Sequence, residues 1–236
     1  MNPAPAERWL LIGNSRWHWA ERSTAGQLRG WDETPPEAGA EGAPLRAWAS
    51  VGRLPERGCP PLDRRVLLQD VPLAGCPPWL GVDRALAGWG AWRERREAVL
   101  VADAGTVLSL TRVDSDGRFR GGRLLAGLRL QLDAMASHTT QLPRLSPAPA
   151  SEDPLATDPA WPQATAGAMR VGVETALVAA VVDAARASGC QHLTLTGGDG
   201  PVLQAGVTPL LEALGIAVRV RPLLCLESLV DLRPAS

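Results

Sequence analysis

Two stretches of this chain follow one plan: an apolar run enters a tight turn of small residues, and a second run leaves it. They are LLIGNSRWHW at residues 10–19 and LVADAGTVLSLT at residues 100–111. Each reads as a β-hairpin. No repeat of solenoid type runs through the rest.

The remaining elements come in mixed order. Residues 8–14 and 16–20 make the first hairpin, around Gly13-Asn14-Ser15. Residues 26–61, rich in Gly, Pro, Ala and Glu, predict a loop-rich stretch with a helix near 45–51. Residues 65–69 (RVLLQ) predict a buried strand. Residues 83–96 predict a helix opened by Asp83, with arginines at the end its dipole favours. A β-meander follows over 98–104, 107–114 and 119–125, then a helix over 128–137. The proline-rich residues 143–162 predict a surface loop. Residues 165–187 predict a long helix, apolar on nearly every face, which needs cover inside the domain or at a subunit interface. A strand at 192–196, a helix at 202–214, a strand at 217–223 and a helix at 226–232 close the chain. Its 236 residues suffice for one large domain or two small ones.

Composition removes whole chemistries. The basic residues are all Arg, and Tyr is absent. There is no Lys for a Schiff base or a Walker-type phosphate loop, and no catalytic phenol. The formal net charge of -1 gives no field to draw in nucleic acid or an anionic membrane. Cys59, Cys76, Cys190 and Cys225 form no CxxC pair, which argues against a zinc knuckle and suits a reducing compartment. The first residues, MNPAPAERWLLIG, do not read as a signal peptide. Glu174, Asp183 and Arg186 interrupt the longest apolar stretch, so no membrane span is expected. The expectation is a soluble, cytoplasmic protein.

Several short motifs carry chemistry, each with a plainer alternative. Gly13-Asn14-Ser15 and Asp103-Ala104-Gly105-Thr106 put close-approaching backbone N–H groups and a hydroxyl at a turn, which suits a polyphosphate; they also suit ordinary hairpins. Asp103 ends an apolar strand, a place for a cation ligand or a turn cap. Thr196-Gly197-Gly198 joins a strand to a helix, where ligands of α/β folds tend to sit. Gly81-Val82-Asp83-Arg84 sets a carboxylate that could take a hydroxyl proton beside a guanidinium that could clamp a carboxylate, or caps a helix. His18, His138 and His192 lack paired spacing and read as structural.

Taken in order, these motifs resemble the type III pantothenate kinases of the acetate-kinase/sugar-kinase/Hsp70/actin superfamily. Gly13-Asn14-Ser15 matches the end of that family's Asp-x-Gly-Asn-Thr turn. Gly81-Val82-Asp83-Arg84 matches its Gly-x-Asp-Arg, and Asp103-Ala104-Gly105-Thr106 its Asp-x-Gly-Thr. The stretches 121–127, 139–143 and 165–172 and the turn Thr196-Gly197-Gly198 follow in register. The resemblance implies an α/β fold of two similar actin-like (ribonuclease H-like) domains, each a central mixed sheet flanked by helices, with ATP in the cleft. The expected division is 1–97 and 98–236, the second part carrying a dimer-forming helix.

The resemblance further implies ATP-dependent phosphorylation of pantothenate to 4'-phosphopantothenate, the first step toward coenzyme A. It implies magnesium, a monovalent cation (potassium or ammonium) and a homodimer. Asp83 would be the general base. Gly81, Val82, Asp83, Arg84 and Thr165 would bind pantothenate. Gly13, Asn14, Ser15 and Thr106 would hold phosphates, Gly197 and Gly198 would lie near the adenosine, and Asp103 would bind the monovalent cation. Leu11 stands where the family has an Asp that helps place the metal–phosphate group. That departure keeps open an alternative: a weakened, nucleotide- or pantothenate-binding regulatory protein of the same fold.

Overall fold

The fold is given by a computed structural model, and the structure describes residues 7–23, 25–35, 45–145, 158 and 160–233. The chain forms two compact units. The first contains residues 1–99, 111–121 and 223–236; the second contains 100–110 and 122–222. The expected division lies at 97/98. The segments 111–121 and 223–236 group with the first unit instead, the C-terminal one because its helix packs on a helix of that unit.

In the first unit, β1 (Glu7–Ile12), β2 (Trp17–Arg22), β3 (Leu28–Glu33) and β4 (Leu45–Ser50) form a sheet in the order β3-β2-β1-β4. β1 and β2 are the antiparallel arms of the Gly13 hairpin, closed by the Gly13 N–H donating to Arg16 O at 2.9 Å. β3 continues antiparallel on β2, and β4 runs parallel to β1. β1 is central and buries Trp9, Leu10, Leu11 and Ile12 in an unbroken run, as a strand covered on both faces does. Trp17, Trp19 and Trp48 join Leu10, Ile12 and Leu45 in one buried cluster. Trp31 stacks on Trp19 with ring centroids 5.9 Å apart. All but Trp161 of the nine tryptophans lie in this unit.

Two expectations fail here. β3 and β4 occupy the stretch read as loop and helix. In LRAWAS, helix-favouring Ala and Leu are overridden by parallel pairing with β1, which buries Ala47, Trp48 and Ala49 completely. Residues 65–69 form no strand: Arg65 makes one isolated bridge to Trp48, and a 3-10 turn follows at Leu68–Asp70. The helix expected at 83–96 is α1 (Val82–Arg95), whose face from Ala85 to Ala91 is buried. α5 (Leu224–Leu232) packs against it.

The other sheet has the order β7-β6-β5-β8-β9: β5 (Val99–Ala104), β6 (Val107–Val113), β7 (Phe119–Ala126), β8 (His192–Thr196) and β9 (Ala217–Val220). β8 is parallel to both β5 and β9. The meander is where the sequence puts it; β9 is shorter than expected, and α4 (Gly200–Glu212) begins earlier, with Pro201 in its first turn. α2 (Leu128–Ser137) and α3 (Thr165–Ser188) complete the elements. α3 is long and apolar enough to cross a membrane by length and composition alone, a test that the core helix of a soluble protein also passes. It nonetheless lays a stripe of Met169, Val173, Leu177, Val181 and Ala184 into the core, at helical spacing, and packs on α2 and α4. Its opposite face exposes Ala168, Gly172, Thr175, Ala176 and Ala179. Most of the expected proline-rich loop, residues 146–157 and 159, lies outside the described residues.

Candidate active site

The candidate residues fall into two clusters, one in each unit. In the first, Asp83 is the second residue of α1. Its Oδ1 accepts the Arg84 N–H at 2.7 Å, and the carboxylate folds back over Gly81, where any Cβ would collide with Oδ1. That close approach is the reason for glycine at the helix entry. Burial pushes the Asp83 carboxyl above its ordinary value. The Arg84 N–H, the Arg84 charge, its own N–H and the His18 charge pull it back only in part. A carboxylate tuned upward in this way is a better general base than an ordinary aspartate.

Arg84 is aimed by two residues distant in sequence. Its Nε donates to Thr111 Oγ1 at 3.1 Å, and its guanidinium lies 5.7 Å over the Phe119 ring. Burial draws the Arg84 pKa down, against the pull of Asp83. The Gly13 turn sits close by in the fold: Val51 donates to Ile12 O at 3.0 Å, and its Cγ1 would lie 3.5 Å from a Cβ on Gly81. A hollow of about 540 Å³ opens beside Gly13 and Asn14, lined also by Trp17, Arg53, Leu54 and Arg57. A smaller one, about 260 Å³, adjoins Gly81 and Val82 and is walled largely by Val51, Val66, Leu67 and Leu80. Asn14 and Ser15 are exposed at the turn. Leu11 is 6% exposed within β1.

In the second unit, Asp103 lies opposite Thr196 where parallel strands β5 and β8 end. Gly197, at φ +86°, presses against it; a Cβ there would lie 2.5 Å from both Asp103 Oδ1 and Ala104 O. The Asp199 N–H donates to Ala104 O at 2.9 Å, which clasps the Gly197-Gly198 turn to the end of β5. The carboxyl ends of parallel strands are where α/β folds receive ligands. Thr106 is exposed at its turn, and its carbonyl accepts the Gly127 N–H at 2.9 Å. Thr165 opens α3 as an exposed residue, so its side chain is not used by the core. Among the described residues no group of three or more His, Cys, Asp or Glu could hold a metal.

The sequence does not reveal Thr111 and Phe119 as the residues that aim Arg84, nor Arg53 and Arg57 beside the Gly13 turn. His18, read as structural, is half-exposed and bonded to Asp32. The signal is strand register, which appears only once β3 is known to be a strand.

Solved structures of low sequence identity share this fold. A protein described as a 2-dehydro-3-deoxygalactonokinase from Sinorhizobium meliloti matches with a TM-score of 0.54 at 15% identity, over 98% of each chain. The activator of the 2-hydroxyisocaproyl-CoA dehydratase from Clostridium difficile, with bound ADPNP, matches at 0.52 and 10% identity, over 96% of this chain and 95% of that one. Such likenesses concern the fold alone. The sequence is more specific. The family model for type III pantothenate kinase matches residues 75–187. The type III pantothenate kinase of Synechococcus sp. (strain JA-3-3Ab) is 36% identical over 214 residues, 87% of this chain and 85% of that protein. That of Synechococcus elongatus is 32% identical over 248 residues, 96% of each. The chain belongs to the type III pantothenate kinase family.

Proposed function

We propose that this chain transfers a phosphoryl group from ATP to the hydroxyl of pantothenate, giving 4'-phosphopantothenate on the way to coenzyme A. Beyond family membership, the observation that carries the reading is the Asp83 carboxylate: held over Gly81, raised by burial, and set beside Arg84. Phosphoryl transfer asks a protein mainly to position reactants and neutralise charge. Asp83 accepts the hydroxyl proton as the new phosphorus–oxygen bond forms and the bond from the γ-phosphorus to ADP breaks, ADP leaving. Arg84, aimed by Thr111 and Phe119, clamps the pantothenate carboxylate. Gly81 and Val82 border the smaller hollow, whose valine and leucine side chains suit the aliphatic part of that substrate. Thr165 adds a hydroxyl for pantothenate.

The Gly13-Asn14-Ser15 turn and Thr106 hold phosphate oxygens, and the Gly197-Gly198 turn receives the adenosine. Magnesium comes in with ATP as part of that substrate. Leu11 offers it no ligand, and a magnesium held by ATP oxygens and water tolerates that. Asp103 Oδ1 and Ala104 O, both set against the Gly197 turn, are oxygens that can coordinate potassium or accept hydrogen bonds from ammonium. Bound there, such a cation would supply positive charge against phosphate.

The small-residue outer face of α3 supports a homodimer. The four free cysteines fit a cytoplasmic setting. A coupled ADP-release assay tests the reading. Turnover should require pantothenate and rise with potassium or ammonium over sodium. Binding of ATP and pantothenate with no product in potassium would overturn it in favour of a regulatory protein.

A further inference from the structure

Leu11, His18 and Asp32 stand on one rung of the first sheet: Leu11 is opposite His18, and His18 is opposite Asp32. Residues directly opposed on neighbouring strands share a face, so their side chains are neighbours. His18 Nδ1 and Asp32 Oδ1 are 2.7 Å apart. The far edge of the ring faces the Gly13 turn, where a Cβ on Gly13 would lie 3.1 Å from His18 Nε2. The imidazole therefore borders the turn with one nitrogen while a carboxylate holds the other. The side chains of the pair are 36% and 41% exposed, and a pair so exposed adds little to stability. The fold has no evident need of it.

We propose that His18 is a phosphate-binding residue of this kinase, its imidazolium presenting Nε2–H to an oxygen of the ATP polyphosphate, and that Asp32 is its positioning residue. This rests on the reading of Gly13-Asn14-Ser15 as a phosphate turn. The proton arithmetic is specific. Asp32, as a carboxylate, can only accept, so Nδ1–H donates to it. Nε2 then carries a proton only in the charged ring. The hydrogen bond from His18, with the His18 and Arg16 charges, in turn holds the Asp32 carboxyl below its ordinary value. Asp32 faces His18 from β3 and Asp83 lies near enough from α1 to feel its charge. Arg16 belongs to the turn itself, and Arg53, Glu56 and Arg57 line the hollow beside it. The rung thus puts a positive donor next to Leu11, a position that offers no ligand of its own.

The test is steady-state kinetics with calorimetric nucleotide binding on the full chain. His18→Ala should raise KM for ATP roughly ten- to hundredfold, the range of a hydrogen bond to a charged group, with KM for pantothenate changed less than about threefold. Its affinity for adenosine should hold. His18→Gln, which keeps an N–H donor on the same strand position, should recover part of the affinity. Asp32→Asn should raise KM for ATP several-fold with kcat little changed, a split that a merely structural pair would not produce. If His18→Ala proves unfolded, the Gln and Asn variants carry the test. Asn14→Ala separates the two readings. Weaker ATP binding in Asn14→Ala alone, with the His18 variants unchanged in KM for ATP, overturns the His18 assignment. Unchanged ATP binding in both overturns the phosphate turn with it.

Discussion

At the scale of one residue, Asp83, as the proposed general base, would tie turnover and stability together with opposite signs. Its carboxyl is raised by burial, so the folded protein holds that proton more tightly than the unfolded chain. The contribution to stability is full below the unfolded pKa and is lost as pH rises through the raised folded value. Asp83→Asn removes the ionisation and keeps the shape. At neutral pH it should melt at the same temperature or higher while turnover falls about 10²–10⁴-fold, the usual cost of losing a general base. The acidic limb of the native pH–rate profile should lie above the ordinary aspartate range. Thermal melts and kinetics on one preparation check this, and native turnover in the variant would remove Asp83 from the role.

At the scale of elements, α1 and α5 meet through a glycine. A Cβ on Gly90 would collide with Ser228 Oγ and lie 3.2 Å from Leu224 Cδ1; that hydroxyl already donates to Leu224 O at 2.7 Å. Gly90→Ala gains about 1 kcal/mol of helix propensity but overpacks the contact by about 1–3 kcal/mol. Urea unfolding should show a net loss of order 1 kcal/mol, and Ser228→Ala in the same chain should recover part of it; equal stability of Gly90→Ala and the native chain would contradict the tight contact.

The same contacts explain what the sequence could and could not reveal. α1, the meander and α3 have local periodicity and turn chemistry, so they were legible. β4 was not, because LRAWAS becomes a strand only against β1, more than thirty residues earlier in the chain. Gly81-Val82-Asp83-Arg84 was legible because its chemistry lies within one tetrapeptide. Thr111, which aims Arg84 from 27 residues away, and Asp32, which holds His18 across β2 and β3, are products of tertiary pairing. A search for short motifs does not reach them.

At the scale of the whole molecule, α3 has one face in the core and one face of small residues outside. If that outer face joins two copies, Ala176→Glu should convert a dimer to a monomer in sedimentation velocity, since it buries a charge without a partner. KM for pantothenate should rise with it if Thr165 serves a site at that interface. An unchanged dimer would place the contact elsewhere. The uneven distribution of tryptophan has a separate, practical consequence. Trp161, the one ring outside the first unit, is 79% exposed, while Trp9, Trp17, Trp19 and Trp48 are almost wholly buried. Intrinsic fluorescence is therefore close to a private channel for the first unit, whereas far-ultraviolet circular dichroism sees both. Lag between the two signals during unfolding would resolve the units without any label. Because Trp17 and Trp19 flank His18, the same emission would report the nucleotide proposed to bind at the Gly13 turn.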